Sequence, residues 1–196
     1  MPSGGQSLVR KRLAYHRMAR NEEDRLKTPR VPPVAPDTRP ELAALEARIR
    51  GARGRISPLY SVLLNSPELA SGWEQLFTAI RQKTSVPPVL RELVILRVAL
   101  LNGAGYEFEA HVPHALAAGM SEESIERLRR DDIRGFGGIE SLVIQYTDAL
   151  TRDLLVPEAL YPQLDRHFDA RTLVELTATI AGYNMVSRFL IAMHIH

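Results

Sequence analysis

Cysteine is absent from all 196 residues. That excludes disulfides, thiolate metal ligands and any thiol nucleophile or redox couple. Long apolar runs are also missing. The best stretch, Leu93–Leu101, is interrupted by Arg97 and is about half the ~20 residues needed to span a bilayer. The first 30 residues show no apolar core of a secretory signal peptide. Together these absences argue against extracellular staples and membrane partners, and leave the cytoplasm as the expected compartment. Strand-type alternation is not found anywhere along the chain either.

What is present is an ordinary globular composition, 45% hydrophobic and 24% charged, in a length that suits one domain with a tail left over. The net charge of +2 hides an asymmetry. Residues 1–30 hold eight Lys/Arg and three Asp/Glu, a balance of +5, so the remainder carries −3. A basic arm on an acidic body is one signature of a nucleic-acid or anionic-lipid binder. Here Glu22, Glu23 and Asp24 break the basic run and no nucleic-acid motif accompanies it. We therefore read the arm as a solvated or subunit-packing tail and expect no nucleic acid among the partners. Pro29, Pro32, Pro33, Pro36 and Pro40 cannot continue a helix and favour an extended linker. The expected division is an arm and linker over 1–40 and a helical domain over 41–196.

Beyond the linker, apolar residues recur at three and four, and the fold class read from them is all-α. Leu42, Leu45 and Ile49 mark the first helix. Ser66, Pro67 and Glu68 form a start signal for the next, with Ser66 as expected side-chain cap and Leu69, Trp73, Leu76, Phe77 and Ile80 as its apolar face. A strong helix begins near Pro87–Pro88 and runs through Leu101, with Gly103 placed to end it. Another covers roughly 106–118, stopping at Gly119. Ser121 and Asp169 cap later helices, the last of them reaching toward Ile195. The glycines at 135, 137 and 138 form a loop and not a phosphate cradle, because no strand precedes them and no Lys-Ser/Thr follows. Leu90-Arg91-Glu92-Leu93 echoes Leu173-Val174-Glu175-Leu176, which is weak support for a duplicated helical hairpin.

Groups able to move protons concentrate between Glu92 and His114. Glu107 and His111, at i and i+4, face the same way on a helix, and His114 at i+3 from His111 can share that face. Glu92 sits in an apolar run on the preceding helix, where a carboxylate is costly unless paired. A histidine on the antiparallel neighbour is a reasonable mate. Imidazole titrates near neutrality and burial can raise a glutamate toward the same range, so such a pair suits proton transfer. It is equally often a satisfied core contact. Pro113, inside a helix, frees the carbonyl of Glu109; alternatively, it marks the first turn of a helix starting later. Glu107, His111 and His114 match no established helical metal motif, and we assign neither a metal nor a cofactor.

The block Leu90–Ala99, then Tyr106-Glu107, Ala110-His111 and Ala118-Gly119-Met120-Ser121, resembles the carboxymuconolactone decarboxylase family and the related alkylhydroperoxidase-D-like proteins. Val174–Thr177, Gly182-Tyr183-Asn184 and Arg188-Phe189 are similar to the last helix of longer members. The resemblance spans roughly residues 55–192. It implies an all-helical fold assembled as a homo-oligomer, trimer or hexamer, with sites near subunit contacts. In the peroxidase branch it implies a relay of Glu, Cys-x-x-Cys and His. Glu92 and His111 match the relay, whereas Ala104 and Glu107 stand where the two cysteines would be, so thiol peroxidase activity is not expected. In the decarboxylase branch it implies a cofactor-independent lyase acting on a small carboxylated lactone, with Glu92 and His111 as acid/base partners. Arg97 then serves as a fork for a substrate carboxylate or as a salt-bridge residue at the surface or between subunits. Tyr106, Glu107, His114 and Arg188 complete the expected substrate-binding set, although Arg188 and its neighbour Asn184 alternatively only stabilise the oligomer. The rival reading is a non-catalytic binding or structural protein, whose pocket would be absent or filled.

Overall fold

The structure, a computed structural model, describes residues 28–196. The basic arm up to residue 27 lies outside the described residues. Nine α-helices follow in the described chain: α1 (Ala43–Arg53), α2 (Pro58–Leu63), α3 (Pro67–Gln82), α4 (Pro88–Asn102), α5 (Gly105–Ala117), α6 (Glu122–Arg129), α7 (Gly138–Asp148), α8 (Tyr161–Asp165) and α9 (Ala170–Met193). A π-helical turn, Ala149–Asp153, extends α7. No strand occurs among the described residues, and none of their helices is long and apolar enough to cross a membrane.

Helix α4 is the axis of the molecule, packed against α5, α7 and α9. Leu93 through Ala99 are all buried, so this helix is enclosed on every side instead of showing one apolar stripe. It ends where expected. Gly103 adopts φ +70°, a conformation that costs glycine nothing, and its N–H reaches back to the Leu100 carbonyl. Ala104 N–H then closes on the Ala99 carbonyl at 2.8 Å. This tight reversal leaves α5 antiparallel to α4, the geometry the Glu92–His111 pairing required.

Two expected caps form. Asp169 Oδ1 accepts from Thr172 N–H at 2.7 Å, and Ser121 Oγ accepts from Ser124 N–H at 3.1 Å. The expected cap at Ser66 does not. Its side chain makes no capping bond to α3, and Pro67 at the first helical position supplies the pre-set φ without it. Pro113 lies inside α5, which runs through it from Gly105, so the later-starting helix is ruled out.

The segment 28–39 is non-helical, turns at Pro36–Asp37 and is attached to the body. Arg30 N–H donates to the Met193 carbonyl and Val34 N–H to the Ser61 carbonyl, at 2.9 and 2.8 Å. Asn65 Nδ2 donates to the Pro32 carbonyl at 2.9 Å, and Val34 is buried. Proline keeps this segment out of a helix while backbone groups seal it against α2 and the end of α9. The sequence echo between α4 and α9 places its two glutamates differently. Glu92 is buried beside α5, whereas Glu175 is half-buried and accepts from both N–H and Oγ of Ser85, each at 2.6 Å.

Candidate active site

Helices α1, α2, α3, α4, α5 and α9 line a cavity of about 550 Å³. Glu92 reaches it from the second turn of α4, and Glu107, His111 and His114 from successive turns of α5. Tyr106 lines it as well. The sequence-derived set is thus brought together with two exceptions.

His111 Nδ1 stands 2.8 Å from Glu92 Oε2, both side chains buried. Burial raises the Glu92 carboxyl, but the hydrogen bond from His111 and the nearby Arg81 and Arg91 outweigh it, leaving Glu92 below its usual value and ionised. Burial also pushes the His111 imidazole below its ordinary value, more than Glu92 lifts it. The pair is therefore a carboxylate facing a neutral imidazole. The carboxylate fixes the tautomer with the proton on Nδ1, and Nε2, which has no protein partner among the described residues, keeps its lone pair free. The Tyr183 ring packs edge-on against the imidazole at 5.3 Å and the His114 ring lies 5.4 Å away, holding His111 in place.

Glu107 has the opposite character. It is buried, its Oε2 has no hydrogen-bond partner, and burial raises its carboxyl to about 8. At neutral pH it is a carboxylic acid, able to donate a hydrogen bond or a proton. Two glutamates on one cavity thus hold opposite protonation states, set by the presence or absence of a partner.

The two exceptions are the arginines. Arg97 does not line the cavity. It is 1% exposed on α4 and binds Asp148 through Nε and Nη2 at 2.6 and 2.7 Å, with Nη1 on Asp131. It is an ion-pair anchor within the chain, tying α4 to α7 and to the turn after α6, with each of its three nitrogens held by an aspartate. Arg188 is exposed, donates to the Asn184 side-chain oxygen at 2.8 Å, and lies outside the cavity lining. Asn184 itself donates to Thr151 Oγ1 and accepts from Asn102, on the side of α9 facing the π-turn.

In their place stand four arginines that the sequence reading did not single out: Arg53, Arg55, Arg81 and Arg91. Arg91 adjoins Glu92 in the recognised block, and Arg53 and Arg55 end a run that also holds Arg48 and Arg50. That basic run beside Gly51 and Gly54 was the available signal. Cations there also have a sufficient local explanation in the dipole at the C-terminus of α1. Tyr183, Trp73 and Phe77 supply the aromatic wall.

Residues 67–141 match the carboxymuconolactone decarboxylase family model. The match covers less than half of the chain. Ala104 and Glu107 stand where the resemblance would put the redox cysteines of the peroxidase branch. Over 119 residues the chain is 34% identical to the uncharacterized protein YnjA of Escherichia coli; the match covers 59% of this chain and 64% of YnjA, less than two thirds of that protein's length. The uncharacterized protein YdfG of Bacillus subtilis is 26% identical over 57% of this chain and 78% of its own.

Solved structures share the fold of the chain. A putative antioxidant defence protein AhpD from Agrobacterium tumefaciens matches with a TM-score of 0.63 at 20% identity, covering 68% of this chain and 93% of its own. An uncharacterized peroxidase-related protein from Silicibacter sp. TM1040 matches at 0.73 and 16%, covering 85% and 90%. The debrominase Bmp8, solved with 2,3,4-tribromopyrrole, matches at 0.70 and 17%, covering 84% and 89%.

Proposed function

We propose that the protein is a cofactor-independent acid/base enzyme acting on a small carboxylated or lactone-containing compound, as a homo-oligomer. The observation that carries this reading is the Glu92–His111 hydrogen bond opening onto a half-open cavity. A satisfied core pair would not need a cavity of about 550 Å³ beside it, and a non-catalytic relative would be expected to have filled that space. The groups also divide the labour. His111 Nε2, its lone pair free and its tautomer held by Glu92, is the base; Glu107, a neutral acid on the same cavity, is the donor. Loss of carbon dioxide from a carboxylated lactone leaves an electron pair spread onto the lactone carbonyl, and a proton delivered to carbon consumes it. Glu107 gives that proton and is left as a carboxylate. His111 Nε2 takes up the replacement proton from water and passes it on, so one proton is consumed per turnover. The surrounding guanidinium groups favour the negative charge while it lasts.

Assembly as a homo-oligomer is supported by apolar side chains left on the surface of long helices. Leu69 and Leu76 lie two turns apart on α3, and Val174 and Met185 share a face of α9.

The test is turnover. Carboxylated lactones are screened for carbon dioxide release by the wild-type protein, then by Glu92→Gln and His111→Ala, with gel filtration showing that each variant assembles normally. Loss of turnover in both supports the assignment. Full turnover retained by both would overturn it.

A further inference from the structure

Among the described residues, five buried side-chain polar atoms lack a hydrogen-bond partner, and three of them belong to residues that line this one cavity: Arg53 Nη2, Arg91 Nε and Glu107 Oε2. Buried polar groups are ordinarily satisfied, and a cluster of unsatisfied ones marks missing ligand atoms. The three come from three different elements, the end of α1, the first turn of α4 and the first turn of α5, so no single local distortion accounts for them. Charge points the same way. Among the described residues, Arg53, Arg55 and Arg81 form no ion pair, and Arg91 approaches only Glu92, at 3.5 Å. Four cations thus face one ionised glutamate across the cavity.

We infer that Arg53 and Arg91 form an anion subsite for a ligand carboxylate, with Glu107 donating a hydrogen bond to an uncharged oxygen of the same molecule. The ligand class is a small organic anion that carries both a carboxylate and a carbonyl, ester or lactone oxygen. Guanidinium forks suit a carboxylate geometrically, and Arg55 and Arg81 add unpaired positive charge around it. The carboxylic acid of Glu107 can supply the donor that a carbonyl needs, which an ionised carboxylate could not. This deepens the reading of the same cavity and rests on it for the choice of lactone as the uncharged part.

Trp73 is the only tryptophan and lines the cavity, so its fluorescence reports occupancy without any turnover. The probes are paraconate, a five-membered lactone carrying one carboxylate, and its uncharged methyl ester, each titrated at low ionic strength. Paraconate is expected to bind the wild-type protein saturably and more tightly than the ester. Arg53→Gln and Arg91→Gln should each weaken paraconate by about tenfold or more while leaving the ester unchanged, and Arg91→Lys should recover part of the loss. Circular dichroism melts identify any variant that fails to fold, and Arg91→Lys then carries the comparison. Equal affinity for acid and ester, unchanged paraconate affinity in both glutamine variants, or no saturable paraconate binding would each overturn the subsite. Glu92→Gln separates the two ideas: intact binding with turnover unaffected in Glu92→Gln and His111→Ala sinks the acid/base assignment and leaves the subsite standing.

Discussion

Arg97 and Asp148 are joined by two parallel contacts, Nε to Oδ1 at 2.6 Å and Nη2 to Oδ2 at 2.7 Å, across the interface of the central helix with α7. The arginine is fully buried, whereas Asp148 keeps partial exposure and Asp131, held by the third nitrogen, is half-exposed. Asp131 also sits at φ +56°, a left-handed conformation that its ion pair with Arg97 helps to fix. The pair thus pins the loop after α6 to the core.

Arg97→Ala is therefore expected to destabilise the fold by about 3 kcal/mol, the lower end for breaking a buried pair because both aspartates keep some water. Urea denaturation measures it. If the variant still folds at low temperature, paraconate affinity should equal that of the wild-type protein, because Arg97 does not reach the cavity. A selective loss of affinity with normal stability would instead return Arg97 to the substrate.

Arg97 also shows where the sequence stops being legible. The apolar run around it made α4 central, and the glycine after Asn102 set the reversal that brings His111 back to Glu92; both are local signals. Which partner a buried arginine takes is settled by α7, 51 residues away, and no spacing records that. Arg53, Arg55 and Arg81 were missed for the same reason. Each sits at or near a helix C-terminus, where a cation has a sufficient local explanation in the helix dipole. Glu107 was legible as a member of the site, through its i, i+4 relation to His111. Its protonation state was not, because that depends on the absence of a partner.

The raised carboxyl of Glu107 gives a pH signature with a definite sign. In the unfolded chain this group loses its proton near 4.5, and in the folded protein near 8. Between those values the native state holds the extra proton, so stability falls as pH rises through the window. His111, lowered by burial, acts oppositely and favours the fold above its unfolded value of 6.5. Above that value the contributions of His111 and Glu92 are complete and no longer change with pH, so the slope between about pH 6.5 and 8 isolates Glu107. Glu107→Gln should flatten that slope and be more stable than the wild-type protein above pH 8. Urea midpoints across the range decide it, and an unchanged slope would mean that Glu107 is ionised in the native state.

The Glu92–His111 pair predicts a second pH effect, on activity. As base, His111 must be unprotonated, so kcat/KM should fall on the acid side as pH drops through its folded-state value, which lies below 6.5. Glu92 raises that value by accepting the Nδ1–H, so Glu92→Gln should move the acid limb to still lower pH. The same substitution loosens the tautomer and should cost at least about a hundredfold in kcat. A pH–rate profile on a turned-over lactone reads both. A limb that moves to higher pH would mean that Glu92 does not set the basicity of His111.

Gly182 tests how closely α9 must approach α3 to shape the cavity wall. A Cβ at this position would stand 3.1 Å from Ile80 Cδ1 and 3.4 Å from Phe77 Cε1. The first contact is the free end of a side chain, which can yield by a few tenths of an ångström, and alanine gains about 1 kcal/mol of helix propensity. Gly182→Ala should accordingly stay within about 1 kcal/mol of the wild-type protein. Valine adds two methyls that cannot all turn away from Phe77. That ring packs against Tyr183 at 5.6 Å and Trp73 at 5.1 Å, and all three aromatics line the cavity, so displacement propagates into the binding space. Gly182→Val should lose about 1–3 kcal/mol in urea denaturation. It should also shift the Trp73 emission and weaken paraconate binding. Valine tolerated with unchanged Trp73 emission would mean that α9 has room to move outward, and that the aromatic wall does not depend on this contact.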